Sequence, residues 1–133
     1  MPHTFPVRVY YEDTDMAGIV YYANYLRYIE RARSDWVRDL GIDQNAMREE
    51  DGVVFVVRRV EADYIAPARF DDALEVRTVT RSVTGVKLMM GQEVWRDETL
   101  LFRAEVLVVC VGANGQPARL PANIRQKLPK SSA

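Results

Sequence analysis

Histidine and cysteine are nearly missing from this chain. Its 133 residues contain one of each, His3 and Cys110. A single cysteine rules out an internal disulfide and a cysteine-rich zinc site. A single histidine, so near the N-terminus that it is expected to be solvated, removes most metal and triad chemistry. Net charge is as sparse, at -1, which leaves no electrostatic footprint for nucleic acid or an anionic membrane. No apolar run approaches the roughly 20 residues that cross a bilayer. The opening "MPHTFPVRVYYEDTD" lacks the basic-then-apolar layout of a signal peptide. These absences predict a cytoplasmic protein without a nucleic-acid partner, an integral membrane segment or a metal.

What is present suits one soluble domain over residues 1–133: 48% of the residues are hydrophobic and 28% charged. Residues 7–12, "VRVYYE", read as a short strand. From about Asn24 to Leu40, Tyr25, Tyr28, Ile29, Ala32, Trp36 and Leu40 recur at helical spacing, and Gly41 supplies a stop. After Gly52 the pattern turns to alternation, predicting strands near 53–66, 72–82, 85–96 and 99–111. The short joints at 83–85 and 97–98 suit antiparallel hairpins. The turn-rich tail is expected to be mobile from about residue 125. The order gives an α+β fold, one curved antiparallel sheet wrapped around a long helix. The sheet's outer face or an edge strand is left to meet another subunit.

The stretch "EDTDMAGIVYYANY" raises the functional question. Glu12, Asp13 and Asp15 fall within four residues, just ahead of the helix. One acid there is an ordinary cap or dipole partner; three repel one another. Asp13 is expected to anchor the turn and Glu12 to be a solvated or paired strand residue. Asp15 lies too far ahead of Asn24 to cap it, which predicts a carboxylate on the wall of an apolar cleft facing helix N–H groups. Such amides polarise a carbonyl, and a carboxylate attacks its carbon or deprotonates a water. That chemistry needs no metal, cysteine or histidine and fits hydrolysis of an activated acyl group.

The same residues carry a resemblance. "YYEDTDMAGIVYYANYLRYIERARSDWVRDLGI" and, further on, "FVVRRVEADYIAPARFDDALEVRT" resemble the hot-dog-fold acyl-CoA thioesterases. The likeness is to the YbgC-type, Tol–Pal-associated branch, near the 4-hydroxybenzoyl-CoA thioesterases. It implies a long helix in a five-stranded antiparallel sheet and sites at the interfaces of a homodimer or dimer of dimers. It implies Asp15 as catalytic carboxylate (nucleophile or general base), Gly18 in the returning turn, and Tyr22 as the residue whose backbone N–H binds the thioester oxygen. Asn24 and Tyr25 complete the motif beside the substrate. Coenzyme A is then part of the substrate, with no retained cofactor. Many YbgC-type chains read "YHANY" where this one reads "YYANY". A backbone role at Tyr22 survives that change, but a histidine's proton transfer does not, since tyrosine with a pKa of about 10 is a poor base at neutral pH.

Cations for the phosphates of coenzyme A are available at Arg58, Arg59, Arg69, Arg81, Lys87, Arg119 and Arg125; Arg59 and Lys87 are taken as candidates. Strand alternation places Arg58 and Arg59 on opposite faces. Met89 and Met90 also face opposite ways, one in the core and the other a candidate acyl-pocket residue, with Tyr64 and Phe55 as weaker candidates. Cys110 reads as core. Two other functions stay in view. Dehydratases and hydratases of acyl thioesters share the fold but typically use a histidine with an acid, and a chain whose one histidine is His3 argues against them. A non-catalytic acyl-thioester- or protein-binding module of an envelope complex is favoured by the Tyr22 departure and disfavoured by the retained Asp15 and Gly18.

Overall fold

The structure is a computed structural model and describes residues 2–129. Strand β1 (His3–Arg8) leads through a 3₁₀ turn (Tyr11–Asp13) to helix α1 (Tyr22–Asp39) and a short helix α2 (Gln44–Glu50). Strands β2 (Val53–Tyr64), β3 (Ala73–Val83), β4 (Lys87–Arg96) and β5 (Thr99–Gly112) follow, then a single turn α3 (Ala122–Arg125). The strands form one sheet in the order β1-β3-β4-β5-β2, every pair antiparallel. The α+β arrangement expected from the sequence is therefore observed.

α1 lies across the concave face. Its buried stripe of Tyr25, Tyr28, Ile29, Ala32 and Trp36 meets Val76, Val94, Phe102 and Val106 of the sheet. The spacing of that stripe is what fixes which side of the helix turns inward. The helix stops in a Schellman turn. Gly41, at φ 82°, donates to the Arg38 carbonyl at 2.9 Å, and Ile42 donates to the Val37 carbonyl at 3.2 Å.

The two ends of the chain differ from the sequence expectation. The first strand is residues 3–8 rather than 7–12. Pro6 is tolerated because β1 is an edge strand paired only with β3, while Asp13 draws Tyr10–Asp13 into a turn. His3 is half-buried in that strand, with Nε2 2.9 Å from Asp35 Oδ2, rather than solvated. The tail does not trail from residue 125: Ile124 and Leu128 are buried in the core. Residues 130–133 of the expected mobile stretch lie outside the described residues. Cys110 is buried, as read from its apolar neighbours, and burial raises its thiol pKa.

No described helix is long and apolar enough to cross a membrane. β2 is the sheet's other edge, paired with β5 along one side only.

Candidate active site

The three acids are kept apart by one compact turn. Asp13 points inward and is 6% exposed; Glu12 and Asp15 face outward. Asp13 Oδ2 accepts the Tyr10 N–H at 2.8 Å, and Oδ1 accepts Asn24 Nδ2 at 2.9 Å. Its own carbonyl accepts the Tyr21 N–H at 2.9 Å. Asp13 thus ties the turn to the first residues of α1, the anchoring role expected of it. The Tyr28 hydroxyl lies near Asp13 without completing a well-formed hydrogen bond to it. Burial, reinforced by that carboxylate, pushes the Tyr28 pKa above the usual phenol value.

Beyond Asp13 the chain makes a narrow loop. Thr14 bridges Val20, the Asp15 N–H donates to the Ile19 carbonyl at 2.9 Å, and the Gly18 N–H returns to the Asp15 carbonyl at 3.0 Å. Gly18 takes φ 78°, the left-handed conformation such a three-residue hairpin turn requires. Asp15 Oδ1 accepts the Ala17 N–H at 2.9 Å, which fixes the carboxylate's orientation. The segment after Asp15 is therefore an exposed tip, with Met16 fully open, and not the buried crossing expected from its apolar residues.

None of the three acids caps α1. The helix begins at Tyr22, two residues earlier than expected, behind an extended Tyr21 (φ -61°, ψ 133°) that makes no side-chain cap bond. Among the described residues the backbone N–H groups of Tyr22 and Ala23 donate to no acceptor. A helix start left uncapped keeps its partial positive charge and its donors available.

The Asp15 loop is pinned against that start by the Asp13–Tyr21 and Thr14–Val20 links. The Tyr21 and Tyr22 rings sit 4.9 Å apart. The Tyr21 pKa is held above the usual phenol value by its contact with the Tyr22 hydroxyl, by some burial and by the Asp15 carboxylate. Tyr64, at the end of β2, donates from its hydroxyl to the Tyr22 carbonyl at 3.1 Å. Asp15, Gly18, Tyr21, Tyr22 and Tyr64 therefore gather at one end of α1.

Asn24 and Tyr25, placed beside the substrate by the resemblance, are buried supports. The Asn24 amide is spent on Asp13. The Tyr25 hydroxyl accepts the Ala68 N–H at 2.9 Å, and its ring stacks on Phe102 at 5.0 Å. Arg59 and Lys87 are not gathered with Asp15 in one protomer. Arg59 pairs with Glu61 on the sheet face away from α1. Lys87 pairs with Val109, at the end of the sheet opposite Tyr64–Phe102. A bulge between Val57 and Arg59 leaves Arg58 as the extra residue, so strict alternation of the two arginines fails there.

Tyr21 is a site residue the sequence reading passed over. Its signal was adjacency: the last extended residue before an aromatic helix start flanks any group bound there. Arg33 was passed over too. It shares with Tyr22, Leu26 and Glu30 a side of α1 spaced at three and four residues.

This constellation sits on a chain whose relatives are known. The profile of the thioesterase-like superfamily matches residues 9–128; the chain belongs to that superfamily. It is 48% identical over 122 residues to the acyl-CoA thioester hydrolase YbgC of Escherichia coli O6:H1, covering 90% of each chain. It is 40% identical over 123 residues to the acyl-CoA thioesterase YbgC of Haemophilus influenzae, covering 92% of this chain and 90% of the relative. Among solved structures, a probable thioesterase from Bartonella henselae superposes with a TM-score of 0.87 at 35% identity. That match covers 91% of this chain and 100% of the other.

Proposed function

We propose that the protein is an acyl-CoA thioesterase, hydrolysing an acyl-CoA thioester to a carboxylic acid and free coenzyme A. The observation that carries this reading is the uncapped start of α1 held beside an oriented, solvent-facing carboxylate. The similarity to thioester hydrolases at 40–48% identity supports the reaction class.

In the reaction, the thioester oxygen sits on the Tyr22 N–H, which is preorganised and stabilises the negative charge that develops there. Asp15 either attacks the carbonyl carbon, giving an acyl–aspartyl anhydride that water then cleaves, or takes a proton from the attacking water. In both routes the C–S bond breaks, coenzyme A leaves as thiolate and takes up a proton, and the acid retains an oxygen supplied by water or Asp15. The test is release of free thiol from acyl-CoAs of different chain length. Release from at least one ester well above the buffer rate is expected. Tight binding without release would support the non-catalytic binding module instead.

The family's usual histidine position is Tyr22 here, 61% exposed. With the backbone N–H as the working group, Tyr22→Phe retains most activity. If the hydroxyl acts in the transition state, kcat and kcat/KM fall together. A hundredfold loss with the fold intact by circular dichroism would make the hydroxyl a catalytic group.

The working unit is a homodimer or a dimer of dimers in the cytoplasm. The unpaired edge of β2 offers main-chain groups to a second copy. Tyr10, Tyr11, Met16, Ile65 and Phe70 are each half open or close to it in one protomer, exposed apolar surface of the kind an interface covers. Light scattering should give at least twice the mass of one chain at working concentration; a monomer mass would refute the assembly.

A further inference from the structure

Edge strand β2 and helix α1 do not close on each other. Phe55, Val57, Val60 and Tyr64 pair across the sheet with Cys110, Val108, Val106 and Phe102, all buried beneath α1. Cross-strand partners share a face, so these β2 residues also turn toward the helix. Yet Val57 remains 45% exposed, Val60 37% and, facing them from α1, Leu26 39%. An open apolar trough therefore runs along Leu26 and Val60, one turn of α1 beyond Tyr22. It deepens past Val57 into a cavity of roughly 170 Å³ floored by Leu88, Met90 and Val108. With a second copy paired on the main-chain edge of β2, this trough lies beside the seam between the two protomers.

One cation stands at the wall of that cavity. An Arg33 Nη donates to Gln92 Oε1 at 2.9 Å. Gln92 is itself locked, its amide donating to the Ile29 carbonyl at 2.9 Å and to Thr78 Oγ1 at 3.0 Å. Arg33 makes no ion pair among the described residues, and burial lowers its pKa, with Glu30 acting against that. A guanidinium drawn partly out of water with donors unspent costs stability, and here a buried glutamine holds it in place.

Building on the thioesterase reading, we propose that this trough is the acyl channel and that Arg33 is a specificity-determining residue. Its guanidinium takes a carboxylate or other acceptor oxygen at the far end of the acyl chain. Eleven helical steps lead from Tyr22 to Arg33, about 16 Å along the axis. The favoured substrate is therefore a medium-chain acyl-CoA, apolar along its length and oxygenated at its end.

The test compares kcat/KM for two series of coenzyme A esters, plain fatty acyl and ω-carboxyacyl, from short to long chains. The wild-type protein should prefer the ω-carboxy ester at medium length by roughly tenfold or more, the scale of one charge-assisted hydrogen bond. Arg33→Met should bring that ratio to about one. Val57→Trp, which fills an exposed part of the trough, should lower the ratio of medium- to short-chain turnover by roughly tenfold. The absence of any ω-carboxy preference in the wild type, or its survival in Arg33→Met, overturns the role of Arg33. A chain-length profile unmoved by Val57→Trp overturns the channel, and this arm decides even if Arg33→Met fails to fold. Either result with short-chain hydrolysis intact leaves the thioesterase reading standing; no thiol release from any ester removes both.

Discussion

Asp15→Asn is expected to slow thioester hydrolysis by at least about 100-fold, the scale for losing a positioned acid–base group. The substitution isolates charge from shape. The asparagine side-chain oxygen still accepts the Ala17 N–H, the bond that orients Asp15 now. Gly18 keeps its left-handed turn and the Thr14–Val20 bridge is main-chain only. The residue is exposed and pairs with no cation among the described residues, so stability should barely change. The amide can neither attack a carbonyl as a carboxylate does nor accept a proton from water. Thiol release measured beside a thermal melt checks both halves. Wild-type turnover by Asp15→Asn would show that the reaction does not run through this group.

Two residues away, Asp13→Asn should show the reverse pattern. Asp13 is buried, and both its oxygens accept hydrogen bonds from Tyr10 and Asn24. An asparagine there must turn an NH₂ toward one of those two donors. One buried N–H is then left unpaired, at a cost of about 2 kcal/mol within the usual range for such a group. For a domain of this size that is a fall in Tm of roughly 8 °C. Well below the melt, the Thr14–Val20 bridge and the Asp13 carbonyl's bond to Tyr21 still hold the loop against α1. Loss of activity should therefore be far smaller than for Asp15→Asn. A variant with an unchanged Tm, or one as inactive as Asp15→Asn at low temperature, would contradict this division of labour.

The fold was legible where residue spacing changes character. Helical spacing ends at Gly41 and strand alternation begins after Gly52, and α1 and the four later strands fall close to where those patterns place them. The misplacement at β1 has a local cause. "VRVYYE" has strand-like residues, but the Asp13 side chain offers the Tyr10 N–H a nearer partner than any strand. The tail was misjudged because composition reports turns, while the anchoring of Leu120, Ile124 and Leu128 is tertiary.

At the site, the spacing of the three acids signalled that one had a purpose other than capping. It did not show how repulsion is avoided, which is by turning Asp13 inward and Asp15 outward. Asn24 and Tyr25 illustrate the limit of motif reading, since a residue fixed in a motif can support the site from behind. Arg59 was picked by charge alone, and charge says nothing about which face of the sheet a side chain occupies. Arg33 lay within a stretch read for its apolar face, and its link to Gln92 spans 59 residues of chain.

The central claim is that this protein breaks a thioester bond with Asp15. A single-turnover experiment tests it most directly: protein in excess over an acyl-CoA, quenched at intervals, with substrate and products resolved by mass spectrometry. The wild-type protein should convert the bound ester fully to acid and free coenzyme A, while Asp15→Asn holds the same ester intact over that time. Bound acyl-CoA that remains intact on the wild-type protein, or equal conversion by both proteins, would contradict the account.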